Sequence, residues 1–301
     1  MKKLTYALVI FTFILFLGLT FSYNPLMANP TDVLDKEKDV YLNILTVNKE
    51  IYKMTKALVG NKHNVEYLFN NEKEVKEFKI SDNVIDNILN MDLFIYNGLG
   101  YEPWINDIVD SAKNSNVGII NMSRGIRTIT KDLSVGYEEN PYYLLGFNEY
   151  KIALYNIKTA LQERDIKNRN YYEENYNKLV KELDEFLTKS KEEIKLYEDY
   201  SIVTNTDKFD YLLRELGLQA IKIKDNEEDI DVSKVDKIIF IYDKDNENID
   251  DLKKTMKSEY TYIGLSSEED TDVLTKNIID IIEVIKNKSN NNGWFLYIHK
   301  I

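Results

Sequence analysis

"NMDLFIYNGLGYEPWINDIV" (Asn90–Val109) passes from an apolar run through two glycines into an amphipathic segment that opens on Glu-Pro-Trp. The run Leu93–Tyr96 reads as a strand buried on both faces. Gly98 and Gly100 permit a tight strand-to-helix turn, Pro103 suits the first turn of a helix because its missing N–H loses no bond there, and Trp104 supplies a large apolar anchor. A strand, a glycine turn and a helix make one βα unit of a parallel sheet. Such units aim helix N-termini at the carboxyl edge of the sheet, where open α/β folds bind ligands.

The same alternation surrounds this stretch. Leu42–Val47 reads as a strand, the segment to Leu58 as a helix, and Val117–Asn121 as a further strand. From Asn148 to about Tyr197 no strand pattern occurs. There "NYYEENYNKLVKELDEFLTKSKEEIKLY" spaces Tyr172, Tyr176, Leu179, Val180, Leu183, Phe186, Leu187 and Ile194 mostly three or four residues apart, which is a long amphipathic helix. The alternation then resumes. Ser201–Val203, Ala220–Ile223, Lys237–Tyr242 and Tyr260–Leu265 read as strands, with helices ending at Leu216, near Asp250–Met256 and over Val273–Ile285. The terminal piece Trp294–Ile301 reads as an edge strand. The expected fold is α/β: two lobes, each a mostly parallel sheet flanked by helices, joined by one long rigid helix. The boundaries are 41–165 for the N-terminal lobe, 166–199 for the linking helix and 200–301 for the C-terminal lobe.

Ahead of the lobes, Lys2 and Lys3 precede an apolar run from Leu4 to Phe21, the pattern of an export signal. Residues 1–28 read as a signal peptide, with Ala28 an imperfect cleavage site, or as a retained membrane anchor; the run is also just long enough to span a bilayer. The chain has no cysteine, so disulfides, thiolate chemistry and a lipid-modified cysteine are all excluded for these residues. Its formal charge of −12 argues against nucleic acid and anionic headgroups as partners, since both demand basic patches. No phosphate loop, nucleophile elbow or H-E-x-x-H helix occurs, so an enzyme is disfavoured.

Two α/β lobes on one long helix behind an export signal suggest a solute-binding protein, and the opening stretch narrows this. It is similar to the segment "ADLvvynGlglEpWldkl" of the zinc and manganese solute-binding proteins of bacterial ABC importers. "LNILTVNKEIYKMTKALVGNKHNVEYLF" (Leu42–Phe69), "VGIINMSRGIRTI" (Val117–Ile129), "ENPYYLLGFNEYKIALYNIKTAL" (Glu139–Leu161) and "IVTNTDKFDYLLRELGL" (Ile202–Leu218) resemble further segments of that family in the same order. The resemblance implies the two-lobed fold with a rigid linking helix, an ABC permease as partner, a location at the outer face of the cytoplasmic membrane or secreted, and a zinc or manganese ion held between the lobes by three histidines and a carboxylate.

Those ligands are missing here. Carried over position by position, the family's histidines fall on Glu74, Tyr142 and Thr206, and its carboxylate near Gly264. Glu77, Asn97, Gly98, Glu102, Trp104 and Tyr143 fall around the same cleft as its support. One charge, two hydroxyls and a glycine are a poor set for zinc, and no metal is assigned from the residues themselves. An oxygen-ligated calcium or manganese ion using Glu74 with Glu77, Glu138 and Glu139 is the remaining metal reading. The two histidines, His63 and His299, lie away from the family positions and read as ordinary surface or edge residues. The expected function is therefore a divergent solute-binding protein with a degenerate metal site. The alternatives are a cell-surface adhesion or interaction protein, or a binder of a small organic ligand on the same fold.

Overall fold

The computed structural model describes residues 40–130, 138–195, 201–223, 238–255, 260–267 and 271–298. The leader, residues 1–28, and His299 lie outside the described residues. Among the described residues no helix is long and apolar enough to cross a membrane.

In the first lobe, β1 (Asn43–Asn48), α1 (Lys49–Val59), β2 (Asn64–Phe69), α2 (Glu72–Glu77), α3 (Asp82–Leu89), β3 (Leu93–Tyr96), α4 (Ile105–Ala112) and β4 (Gly118–Asn121) follow one another. The sheet order is β2-β1-β3-β4, and every pairing is parallel. All four residues of β3 are buried, as expected for a strand covered on both faces. The second lobe repeats the plan with β5 (Ser201–Thr204), α7 (Asp210–Leu216), β6 (Ala220–Lys222), β7 (Ile238–Asp243), α8 (Ile249–Thr255), β8 (Thr261–Leu265) and α9 (Thr271–Ile298). Its parallel order, β6-β5-β7-β8, matches the first. In each sheet the order of strand addition switches from one side of the first strand to the other. The carboxyl ends of β1 and β3, and of β5 and β7, therefore form the crevices in which such folds hold ligands.

Between the lobes run α5 (Phe147–Arg164) and α6 (Arg169–Lys195). The 27 residues of α6 extend about 40 Å at 1.5 Å per residue. Its first half packs on the first lobe, where the Asn175 side chain donates to the Leu58 carbonyl at 2.8 Å. Its second half reaches the other lobe, with Lys191 on Glu215 and Lys286 on Glu193. One apolar core includes Phe94, Ile108, Ile157, Tyr172, Leu187, Phe209 and Ile281, and so runs from one lobe through the helices to the other. This continuity resists wide hinge opening.

Two sequence expectations need correction. Trp294–Ile298 continue α9 instead of forming an edge strand. The run "NKSNNNG" costs a helix only about 0.5–1 kcal/mol per residue relative to alanine, which weakens the helix without stopping it. The second concerns His63, which is 3% exposed and so is not a surface residue. Its Nδ1 accepts from the Leu42 N–H, so the proton of the neutral ring sits on Nε2, 2.6 Å from the Tyr172 hydroxyl and 3.2 Å from Asp165 Oδ2. Tyr172 in turn donates to Asp165 Oδ2. With the Leu42 bond, the triad ties the chain just before β1 and β2 to the junction of α5 and α6.

Burial holds the His63 pKa below the ordinary histidine range, against the pull of the Asp165 charge. The unfolded chain then binds more protons around pH 6.5, so stability falls as pH drops through that value. His63→Ala is expected to cost about 1–3 kcal/mol at neutral pH by leaving the buried Leu42 N–H without its acceptor and opening a void beside Tyr172, and to flatten stability between pH 7 and pH 5, read by urea unfolding.

Candidate functional site

The crevice between the lobes is built from the corner after β2, the loop before α5, and the turns after β5, β7 and β8. Asn71 caps α2 by accepting from the Glu74 N–H at 3.0 Å, and the Glu74 carboxylate returns to the Asn70 N–H at 2.8 Å and the Asn71 amide at 3.0 Å. This reciprocal cap occupies Glu74 on an exposed corner. Glu72, the first residue of α2, points the other way. Its Oε1 accepts from the Tyr142 hydroxyl at 2.7 Å and its Oε2 from Lys208 Nζ at 3.1 Å.

Lys208 comes from the opposite lobe, in the turn between β5 and α7. That turn is held by Thr206, whose Oγ1 accepts from the Lys208 N–H at 3.3 Å. The Lys208 ammonium also lies 3.0 Å from Asp243 Oδ2 at the carboxyl end of β7, donates to Ser267 Oγ at 3.1 Å, and sits 5.0 Å from the centre of the Tyr142 ring. Asp243, with its side chain 2% exposed, accepts further from Ser267 Oγ at 2.7 Å and from the Asn246 amide at 2.6 Å. Burial draws the Lys208 pKa down, but Glu72 and Asp243 outweigh it and hold it above the ordinary lysine range. Burial likewise pushes Asp243 up, and the hydrogen bonds from Ser267, Asn246 and Lys208 outweigh that and hold it below the ordinary carboxylate range. An ionised lysine between two carboxylates thus bridges the lobes.

Of the residues expected around the cleft, Tyr142 lines the centre and Thr206 shapes the turn that presents Lys208. Gly264 lies within β8, opposite Tyr242, where an added Cβ would come 2.7 Å from the Tyr242 hydroxyl oxygen. Glu77 is exposed beside Lys73, and Glu139 accepts from the Thr128 hydroxyl at 3.0 Å. Among the described residues no group of three or more histidine, cysteine, aspartate or glutamate side chains is placed to hold a metal ion. Sequence reasoning missed Glu72, Lys208, Asp243 and Ser267. The signal was a lone lysine two residues past the Thr206 position in a strand-to-helix turn.

The support residues do gather. The turn after β3 has three successive positive φ angles, at Gly98 (85°), Leu99 (52°) and Gly100 (74°). Buried Glu102 closes it, accepting from the Asn97 N–H at 2.8 Å and the Gly98 N–H at 3.0 Å. The Tyr143 hydroxyl donates to the Asn97 carbonyl at 2.8 Å, and Trp104 Nε1–H donates to the Val75 carbonyl at 2.9 Å, pinning α2. Burial raises the Glu102 pKa to about 7 against the two backbone N–H bonds. Because the folded value lies above the unfolded one, its contribution to stability is full below about pH 4.5 and is lost as pH rises through about 7, on the order of 3 kcal/mol in all. A carbon-13 carboxyl titration should place the Glu102 midpoint near neutrality; a midpoint at the ordinary glutamate value would refute this.

Two similar lobes with polar side chains collected between the carboxyl edges of their sheets are the architecture of the two-lobed solute-binding proteins. The chain belongs to the ZnuA family, described as zinc-uptake complex component A, periplasmic, whose family model matches residues 44–248. The high-affinity zinc uptake system protein ZnuA of Bacillus subtilis is 26% identical over 198 residues, which is 60% of this chain and 60% of that protein. The crystal structure of the metal-dependent lipoprotein YcdH from Bacillus subtilis superposes with a TM-score of 0.66 at 20% identity, covering 80% of this chain and 98% of that one. A mutant structure of the laminin-binding adhesin Lmb from Streptococcus agalactiae gives 0.67 at 20% identity, covering 80% and 98%. These structural likenesses are of fold.

Proposed function

We propose that this chain is the exported solute-binding component of an ABC importer of the metal-uptake class, and that its cleft carries a tethered cation, the Lys208 ammonium, where relatives would receive a metal ion. The observation that carries this is the pairing of Lys208 with Glu72 at 3.1 Å from one lobe and Asp243 at 3.0 Å from the other. The donors around it are two carboxylates that share the one lysine as their counter-charge and two neutral hydroxyls, Tyr142 and Ser267. Zinc demands nitrogen, sulfur or free carboxylate donors, so these residues do not fit it. The protein on this reading binds its solute without transforming it, works at the outer face of the cytoplasmic membrane where its N-terminal segment is retained as an anchor, or as a secreted form where that segment is cleaved, and docks on a permease as its relatives' family implies.

The test is metal content of residues 31–301 after dialysis against zinc, manganese or calcium and removal of weakly held ions. Far less than one ion per chain is expected. One ion per chain, lost on Glu72→Gln, would overturn the tethered-cation reading.

A further inference from the structure

Helix α9 changes character along its length. Its buried residues Leu274, Asn277, Ile278, Ile281, Ile282 and Ile285 share one stripe, the side by which it packs on β8 and α6. Carried on at about 100° per residue, that stripe passes next through Lys288, Ser289 and Asn292, so its apolar run breaks after Ile285. The helix then closes on five consecutive large apolar residues, Trp294–Ile298. Leu296 falls in line with the buried stripe and Phe295 at its margin. Trp294 stands about 180° from Ile285 around the axis, with Tyr297 and Ile298 about 120° and 140° away on its two sides. One surface of a lobe covers one face of a helix, whereas a turn that is apolar all round suits surroundings that are apolar on several sides. It is far too short to span a bilayer, which takes about 20 residues.

The charge around this turn is also unlike that of the rest of the chain. Acids number 51 in 301 residues, yet none follows Glu283, while Lys286, Lys288 and Lys300 do. The net charge that argues against anionic headgroups for the chain as a whole is reversed in sign at this end. Tryptophan and tyrosine close to lysine are the residue types that settle at the boundary between headgroups and acyl chains.

We infer that the end of α9 is an interfacial anchor, whose turn Trp294–Ile298 enters the headgroup boundary of an anionic bilayer with Lys288 and Lys300 toward the phosphates. A second copy of the chain would bring like lysines together, and a neutral surface would leave them without counter-charge. A single short apolar turn with a few lysines holds a bilayer weakly and reversibly, so it adds a second point of attachment for the second lobe and does not replace the N-terminal segment. The inference is independent of the tethered cation.

The experiment is vesicle flotation with tryptophan emission on residues 31–301, which lack the apolar leader, so that any binding belongs to the body of the protein. Vesicles are phosphatidylglycerol with phosphatidylcholine, or phosphatidylcholine alone. The other tryptophan, Trp104, is 6% exposed in the core, so a change of emission on mixing reports Trp294. The expected result is flotation with the anionic vesicles and a blue shift quenched by brominated acyl chains. Binding should fall tenfold or more in Trp294→Ser with Tyr297→Ser, in Lys288→Glu with Lys300→Glu, and on phosphatidylcholine alone, while both double variants unfold in urea like the parent. Absence of flotation, or flotation unchanged in the aromatic double variant, would overturn the inference. A blue shift that grows with protein concentration without vesicles would assign the turn to a second copy instead. A clear loss of stability in the aromatic variant would assign it to the packing of the lobe, and either outcome would overturn the anchor.

Discussion

Lys208→Met should destabilise the protein by about 3–5 kcal/mol, the usual cost of removing one partner of a buried ion pair. Methionine keeps much of the side-chain volume, so the loss reports charge. Asp243 would be left nearly sealed from water with its counter-charge gone, and Glu72 would keep only the Tyr142 hydroxyl. The same substitution opens a set of hard oxygen donors, Glu72, Asp243, Ser267 and Tyr142, which suits calcium or manganese. Urea unfolding of the variant should therefore recover stability with millimolar calcium or manganese, by about 2.7 kcal/mol at one hundred times the dissociation constant. The unsubstituted protein should not respond. A variant as stable as the parent, or one blind to both ions, would show that the bridge is incidental.

The pH dependence of the bridge follows from the two shifts. Lys208 is raised, so its contribution is full below the ordinary lysine value of about 10.4 and is lost as pH climbs through the higher folded value. Asp243 is lowered, so its contribution is present above about 3.9 and is lost as pH falls through its lower folded value. The bridge should hold across the whole neutral range.

Trp104→Ala is expected to cost about 3–5 kcal/mol, as large aromatic truncations in a core do. The indole is 6% exposed and sits edge-on to Phe78, with ring centres 5.4 Å apart, and 5.8 Å from Phe69. Its Nε1–H satisfies the Val75 carbonyl in α2, the helix that begins with Glu72. Losing it removes both packing and the bond that fixes α2 against the turn after β3. Trp104→Phe should cost markedly less, since the ring stack survives and only the hydrogen bond is lost. Equal losses in urea for the two variants would mean that packing is not what Trp104 supplies.

The fold was legible because its signals are local. Leu93–Tyr96 was read with the observed bounds, and the glycine turn after it shows the positive φ angles that glycine allows, although Leu99 shares them. The alternation of short apolar runs with amphipathic segments was enough for both parallel sheets. The C-terminal piece was misread because its asparagine run looks like a break, while helix continuation is decided by small per-residue costs. The site was harder. In "NNEKEVKE" almost every residue is polar, so nothing in the pattern tells Glu72 from Glu74, yet two residues at the start of a helix point about 200° apart. Glu72 crosses to the other lobe and Glu74 caps its own helix. Lys208 carries no local signal in the sequence, because its long side chain meets Glu72 and Asp243 well beyond its own backbone position. His63 was misplaced because its partners, Asp165 and Tyr172, lie about a hundred residues away in sequence.

The most direct test of the tethered cation is anomalous diffraction at the manganese edge from crystals of residues 31–301 soaked in manganese chloride. The account predicts no anomalous peak within coordination distance of Glu72 and Asp243, and density for the Lys208 side chain running to a point about 3 Å from both carboxylates. A manganese peak between Glu72 and Asp243, with Lys208 turned out of the cleft, would contradict it.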